Sequence, residues 1–256
     1  MGEKIAVADT PEICRMELSD LRASLVLGWR DFMRAPFYGL FFSSVYVAGG
    51  WIVFWSMTTE GQMWLTIPAA AGFPILGPFI ACGYYEISRR FETGEPLDPR
   101  AVLGVIFLQK DRQIPSIAAV IVVFFLFWNF LGHMIFALFL GLQVMTNITS
   151  SFEVFLTPNG LAMLATGSLV GAGFATVLFS LTVVSLPLLM DKELDFVTAM
   201  ITSVSLVLHN PLVMLIWGTL IGVLLFLGMA VGFFGLFIVL PVLGHATWHL
   251  YRRALD

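Results

Sequence analysis

Long apolar stretches separated by short polar segments dominate the chain. Six of them reach about 20 residues, the length of a helix that crosses a bilayer. They are residues 37–57, 62–85, 115–142, 160–190, 211–229 and 231–251. The last two divide one apolar run that is too long for a single crossing, and three glycines suggest a turn between them: Gly228, Gly232 and Gly235. The pattern predicts an all-α integral membrane protein with six transmembrane helices.

The segments before the odd-numbered stretches resemble one another. Residues 17–36, 95–115 and 193–211 each begin with an acidic residue, continue with a Leu and an Asp, and end with a Pro that opens the next stretch. In the first, apolar residues recur at spacings of three and four, which is typical of one helix face; they are Leu18, Leu21, Leu25, Trp29 and Phe32. We therefore expect three repeats of an interfacial helix plus a helical hairpin.

These repeats set the predicted domain boundaries. They cover about 17–94, 95–191 and 192–253, within a single membrane domain of residues 17–256 that follows an N-terminal cytoplasmic tail of residues 1–16. All thirteen Lys and Arg residues lie in the N-terminal segment, in two internal segments or in the last five residues. Six crossings bring these segments to one side, and the positive-inside bias makes that side cytoplasmic. Both termini are therefore predicted to be cytoplasmic.

Composition fits a lipid environment and argues against nucleic acid as a partner. The chain is 59% hydrophobic and 12% charged, whereas a soluble domain carries about 25% charged residues. No basic patch is interleaved with exposed aromatic residues, as a nucleic-acid interface would require. The sequence has no nucleotide-binding loop, nucleophile elbow or HExxH motif. We therefore predict that the protein is not an enzyme, and we predict no cofactor.

Asn129 and His133 are the strongest intramembrane signal. They lie four residues apart near the middle of the third stretch, so both project from one helix face. The pair could line a polar cavity or bind a cofactor. The interpretation we favour is an interhelical hydrogen bond between spans.

His245 and His249 form a second pair with the same spacing, near the cytoplasmic end of the last stretch. An i, i+4 pair can present two imidazoles to one metal, and contact with a lipid headgroup is a further alternative. We favour interfacial anchoring, because Trp248 and Tyr251 are close by and such residues commonly anchor spans. At the inner end of the second stretch, Glu86 is expected to pair with a neighbouring arginine at helical spacing.

Two further features concern helix shape and packing. The second stretch contains Pro68, Pro74 and Pro78, which remove backbone hydrogen bonds and kink a helix. The freed carbonyl groups could coordinate a substrate or be satisfied by neighbouring helices. Small residues in the fourth stretch predict a close helix-packing face; they are Gly167, Gly171, Gly173 and Ala175.

Three strings resemble those of a bacterial family of uncharacterised integral membrane proteins, the domain of unknown function numbered two-one-eight-nine. They are GPFIACGYYEISRRFETGEP at 77–96, SLPLLMDKELDFVTAMITSVSLVLHNP at 185–211 and LPVLGHATWHLYRR at 240–253. The resemblance implies a bacterial inner-membrane location. Some family members carry the label of a cytochrome c oxidase subunit, which suggests respiratory-complex proteins as partners. The chain has four His residues, one of them mid-membrane, so an accessory or assembly role fits that label better than catalysis.

Three function classes remain open. The first is a non-catalytic accessory or scaffold protein, which suits the charge-free span centres. The second is a transporter or lipid-handling protein with a central cavity, which would use the proline-rich second stretch together with Asn129 and His133. The third is a haem- or copper-binding redox subunit that uses His133, His245 or His249. The sequence does not indicate an oligomeric state.

Overall fold

A computed structural model describes residues 11–59, 66–109, 112–141 and 153–255 of the chain. Within these ranges the fold is all-α, as predicted, and the one extended contact is an isolated bridge between Ile13 and Leu255. The helices are α1 (Leu18–Arg34), α2 (Pro36–Thr58), α3 (Thr66–Thr93), α4 (Pro99–Gln109), α5 (Ile114–Leu140), α6 (Glu153–Leu156), α7 (Pro158–Thr182), α8 (Ser185–Asp191), α9 (Phe196–His209), α10 (Pro211–Ala230) and α11 (Leu236–Ala254).

Four helical segments of the described chain are long and apolar enough to cross a membrane. They are Pro36–Ser56, Ile114–Leu140, Pro158–Asp191 and Pro211–Ala230, and they coincide with the first, third, fourth and fifth predicted stretches. The second and sixth stretches form α3 and α11, which are helical but are not among these four. The structure therefore supports a membrane protein with four candidate spans.

Prolines set several of the helix boundaries. Pro36 and Pro211 are the first residues of α2 and α10, where a missing N–H costs no helical hydrogen bond. Pro187 has the opposite effect, because inside a helix it cannot bond the carbonyl group four residues earlier. That carbonyl belongs to Val183, and the break between α7 and α8 falls at Val183 and Val184. The turn between α10 and α11 contains Gly232 with φ 69°, as the predicted glycine turn requires.

The helices pack in a cyclic order. Each short amphipathic or apolar helix lies against the helix that ends the preceding hairpin: α4 packs on α3, α9 packs on α7 and α8, and α1 packs on α11. Each long apolar helix lies against its hairpin partner and against a helix of the preceding hairpin. α2 lies against α3 and α11, α5 against α7 and α3, and α10 against α11 and α7. The contacts of α1 with α11 therefore connect the two ends of the chain.

α1 runs antiparallel along α11, with close backbone approach at Gly28. A Cβ atom at Gly28 would lie 2.6 Å from both the amide nitrogen of Ala246 and the carbonyl oxygen of Val242. This approach determines which face of α1 is buried: Leu21, Ser24, Gly28, Asp31 and Phe32. The predicted apolar face was therefore partly wrong, because Leu18 and Trp29 are exposed and the small residue at 28 takes the contact position.

The largest buried cluster surrounds the convergent ends of α3, α8 and α11. The rings of Trp248 and Tyr251 lie 5.5 Å apart, and Trp248 also contacts Tyr85 at 6.3 Å. The N-terminal segment closes over this cluster. The amide of Met16 donates to Asn210 Oδ1 at 2.8 Å, and Asn210 Nδ2 donates to the carbonyl oxygen of Cys14 at 3.1 Å. Part of the segment that the sequence assigned to a tail is thus held against the helices.

Candidate functional site

A cleft of about 1180 Å³ opens between α5 and α7. α5 and α7 form its two long walls, Pro74 of α3 and two residues of α10 complete it, and most of its surface is apolar. The lining residues are Pro74, Ile121, Phe124, Phe125, Trp128, Asn129, Gly132, His133, Ile135, Phe136, Met163, Leu164, Gly167, Ser168, Gly171, Ala172, Phe174, Ala175, Leu178, Gly222 and Phe226. No Asp, Glu, Lys or Arg side chain is among these lining residues.

The cleft exists because small residues line it where larger ones would close it. A Cβ atom added at Gly132, Gly167 or Gly222 would meet no atom within 4 Å. At Gly171 it would lie 2.9 Å from the indole ring of Trp128, so the walls touch there. The predicted close-packing face of α7 is therefore only partly packed: Gly171 contacts Trp128, whereas Gly167 and Gly173 face open space.

Asn129 and His133 stand on the α5 wall of this cleft, and each bonds its own helix. Asn129 Nδ2 donates to the carbonyl oxygen of Phe125 at 2.9 Å, and His133 Nδ1 lies 2.7 Å from the carbonyl oxygen of Asn129. Both side chains are exposed on the protein surface. Both hydrogen bonds stay within α5, so the interhelical hydrogen bond that we favoured is wrong. The alternative of a cavity-lining pair describes their position better.

The three prolines of the second stretch occupy different structural positions. Pro74 and Pro78 lie inside α3, where each leaves the carbonyl group four residues earlier without its helical hydrogen bond. Pro74 lines the cleft, whereas Pro78 does not. Pro68 lies near the start of α3, and the surroundings of its side chain are outside what the structure describes.

A buried polar network connects α1, α3 and α11 at a separate place. Asp31 Oδ2 accepts hydrogen bonds from Ser88 Oγ at 2.9 Å and from His249 Nε2 at 2.7 Å. Ser88 Oγ also lies 2.8 Å from His245 Nδ1, and the buried His245 Nε2 has no hydrogen-bond partner among the described residues. Asp31 is 3% exposed and His245 is 0% exposed. The interfacial anchoring predicted for this histidine pair is therefore wrong for His245, which lies in the core.

Sequence reasoning missed Asp31 and Ser88 as members of this network. The signal for Asp31 was its spacing of three residues from Gly28, which places both on the same face of α1. The buried stripe of this helix contains Leu21, Ser24, Gly28 and Asp31. His133 belongs to the cleft, so the structure does not bring it together with His245 and His249. Among the described residues, no group of three or more His, Cys, Asp and Glu side chains could hold a metal ion.

Ion pairs surround the same ends of α3 and α11. Glu86 accepts from Arg89 Nε at 2.9 Å and from Arg90 Nε at 2.6 Å, which confirms its predicted pairing. The hydrogen bond with Glu86 raises the pKa of Arg89, and the hydrogen bond from Arg89 lowers the pKa of Glu95. Arg252 bridges Glu92 of α3, at 3.0 Å, and Asp191 of α8, at 3.2 Å.

The family comparison agrees with a membrane protein. Residues 66–191 match the model of a family described as "Predicted integral membrane protein (DUF2189)". This range runs from the first residue of α3 to the last residue of α8 and is just under half of the chain. The match supports the family that the sequence strings indicated, and its description does not mention an oxidase. Neither the curated proteins nor the solved structures contain a match to the chain.

Proposed function

We propose that this is a non-catalytic, multi-pass membrane protein that holds a hydrophobic membrane ligand in the cleft between α5 and α7. The observation that carries the proposal is the cleft itself, which is apolar, largely uncharged and bounded by two of the four candidate spans. In a bilayer, space between spans that protein side chains leave open is available to lipid chains. The cleft is lined by few polar side chains, and only a few orienting groups are typical of small-molecule sites.

The proposed topology is six spans in three repeats, with both termini on the cytoplasmic side of a bacterial inner membrane. The cyclic packing order supports this arrangement, because α1, α4 and α9 each contact the helix that ends the preceding hairpin. The positions of the basic residues support it too. Arg89 of α3 and Arg252 of α11 lie at the same end of the molecule, where ion pairs connect α3, α8 and α11.

A pair of matched variants tests ligand binding. Gly167 lines the cleft and Gly173 does not, yet both lie in α7 and neither would bring a Cβ atom within 4 Å of another group. Gly167→Trp should therefore place an indole ring in the cleft, and Gly173→Trp should place one on the outer surface. We would purify each in mild detergent, wash away loosely bound lipid, and identify retained lipids by mass spectrometry of organic extracts.

The wild type and Gly173→Trp should retain the same specific lipid, and Gly167→Trp should lose it. Equal retention by all three proteins would contradict the proposal, because a ligand in the cleft would be displaced by the added indole. A thermal unfolding curve for each variant provides the control for folding.

An accessory or scaffold role is the second candidate, and one observation favours it. Gly173 of α7 faces open space outside the cleft, and small residues let two helices approach closely in a membrane. A spanning helix of a partner, such as a respiratory-complex protein, could occupy this surface. Site-specific crosslinking from Gly173 in native membranes would identify such a helix, and exclusive crosslinks to lipid would contradict it. The redox proposal has the weakest support, because His133 is remote from the network of His245 and His249.

A further inference from the structure

The polar groups of the cleft define the ligand more closely than its apolar walls do. Asn129 Nδ2 uses one of its two hydrogens on a backbone carbonyl oxygen, which leaves Oδ1 as an acceptor and one N–H as a donor. His133 Nδ1 also faces a backbone carbonyl oxygen, which can only accept, so Nδ1 carries the hydrogen. A charge in the hydrocarbon region is costly, and no carboxylate lines the cleft. In the neutral ring, Nε2 is then an acceptor as well.

The depth of the two acceptors excludes a phosphate headgroup beside them. With a rise of 1.5 Å per residue, Asn129 lies about 3 Å and His133 about 9 Å from the midpoint of α5. With the midpoint of α5 at the bilayer centre, both positions fall within the hydrocarbon core, whose half-thickness is about 15 Å. The lining residues that the structure describes include no Lys or Arg side chain that could neutralise a phosphate. The group that reaches the pair must be uncharged.

We infer that the cleft binds a neutral lipid that bears a free hydroxyl group, with this hydroxyl donating to His133 Nε2 or Asn129 Oδ1. This inference rests on the proposed function and adds the class of ligand. An ester or ether oxygen can only accept, so it would leave both His133 Nε2 and Asn129 Oδ1 without a donor. A hydroxyl group donates to one acceptor and can accept from Ser168 Oγ, which lines the same cleft.

A competition experiment separates a hydroxyl lipid from an equally apolar lipid. The purified full-length protein would be incubated with equal amounts of 1,2-dioleoylglycerol and its isotopically labelled 3-O-methyl ether, and bound lipid counted by native mass spectrometry. Gly167→Trp provides the background for lipid outside the cleft. We expect the wild type to prefer the alcohol by about three- to tenfold, the effect of one hydrogen bond.

His133→Leu and Asn129→Leu should each reduce this preference, and the double variant should abolish it. The hydrogen bonds that these substitutions remove lie within α5 and do not connect it to another helix, so the fold should persist. His209→Leu, at the exposed end of α9, is the matched control and should keep the preference. Replacing the diacylglycerol pair by oleyl alcohol and its methyl ether tests whether a single chain suffices.

The outcomes distinguish the two proposals. If the wild type binds both lipids equally and Gly167→Trp still lowers binding, the cleft is a lipid site but the hydroxyl inference is overturned. If Gly167→Trp does not change the binding of either lipid, the proposed function fails as well. A hydroxyl preference that survives in the double variant would also overturn the role of the pair.

Discussion

Removal of the Asp31 carboxylate should open the packed region between α1, α3 and α11. Asp31→Ala takes away the acceptor of both Ser88 and His249 while leaving the backbone unchanged. Ser88 can rotate its hydroxyl group towards His245, but His249 Nε2 loses its partner. Breaking a buried pair by removing one member costs about 3–5 kcal/mol. Because Ser88 can recover a bond, we expect about 3 kcal/mol, the low end of this range.

Cys82 provides the assay, because it is fully buried in α3 and the chain contains only one other cysteine. In a Cys14→Ser background, a thiol reagent can modify only Cys82, and only when the helices separate. If the helices close again faster than the reagent reacts, the labelling rate follows the population of the open state. A loss of about 3 kcal/mol then predicts a labelling rate roughly 100-fold higher.

The control is Glu193→Ala, which removes a side chain that is 93% exposed in its ion pair with Arg112. Such a surface pair contributes about 0–1 kcal/mol, so the rate should change by less than about sixfold. A rate for Asp31→Ala within the range of this control would refute the reasoning. It would mean that apolar packing between α1 and α11 holds these helices together without the network.

Two further predictions test the helix contacts and the topology. Gly28→Leu should destabilise the protein by at least about 1–3 kcal/mol, because the new side chain meets the backbone of α11. Gly104→Leu is the control and should not destabilise it, because a Cβ atom there has no other atom within 4 Å. Equal unfolding curves for the two variants would contradict the contact between α1 and α11. A reporter that is active only outside the cytoplasm should work when fused near Asn147 and fail when fused after Asp256; activity of the C-terminal fusion would contradict an even number of crossings.

The sequence predicted the helices well because their signals are local. The length of an apolar run and the position of a proline depend only on neighbouring residues, so the start of α2 at Pro36 and of α10 at Pro211 could be anticipated. The break before α8 is equally local, but the apolar run continues through it, and hydropathy cannot reveal a kink at Pro187.

The candidate sites depend on contacts between distant residues, and there the sequence was less informative. Asp31 and His249 are far apart in sequence, and their pairing requires α1 to pack along α11. Spacing alone placed Trp29 on the buried face of α1, whereas the small side chain of Gly28 determines the contact. In the same way, the small residues of α7 predicted packing, but small residues serve equally well to leave space for a ligand.

Within the residues that the structure describes, a comparison of the three hairpins indicates why the cleft forms at the second. Between α2 and α3, aromatic rings pack against glycines: Phe73 contacts Gly49 and Phe42 contacts Gly83. A Cβ atom added at either glycine would lie less than 3 Å from the ring. Between α10 and α11, Gly228 and Gly235 bring the backbones themselves together, with 2.6 Å from an added Cβ at Gly235 to Gly228 Cα.

Between α5 and α7, an aromatic ring packs on a glycine at one place, where Trp128 contacts Gly171. No described side chain packs against Gly132 or Gly167, although aromatic residues are abundant on α5. One of these, Phe130, is exposed on the surface instead of filling the gap. A void between apolar helices forfeits dispersion contacts with every atom of its lining, so it is stable in a membrane only when another molecule restores those contacts. Lipid chains can do so, and Asn129 and His133 add the polar groups that would select one lipid among many.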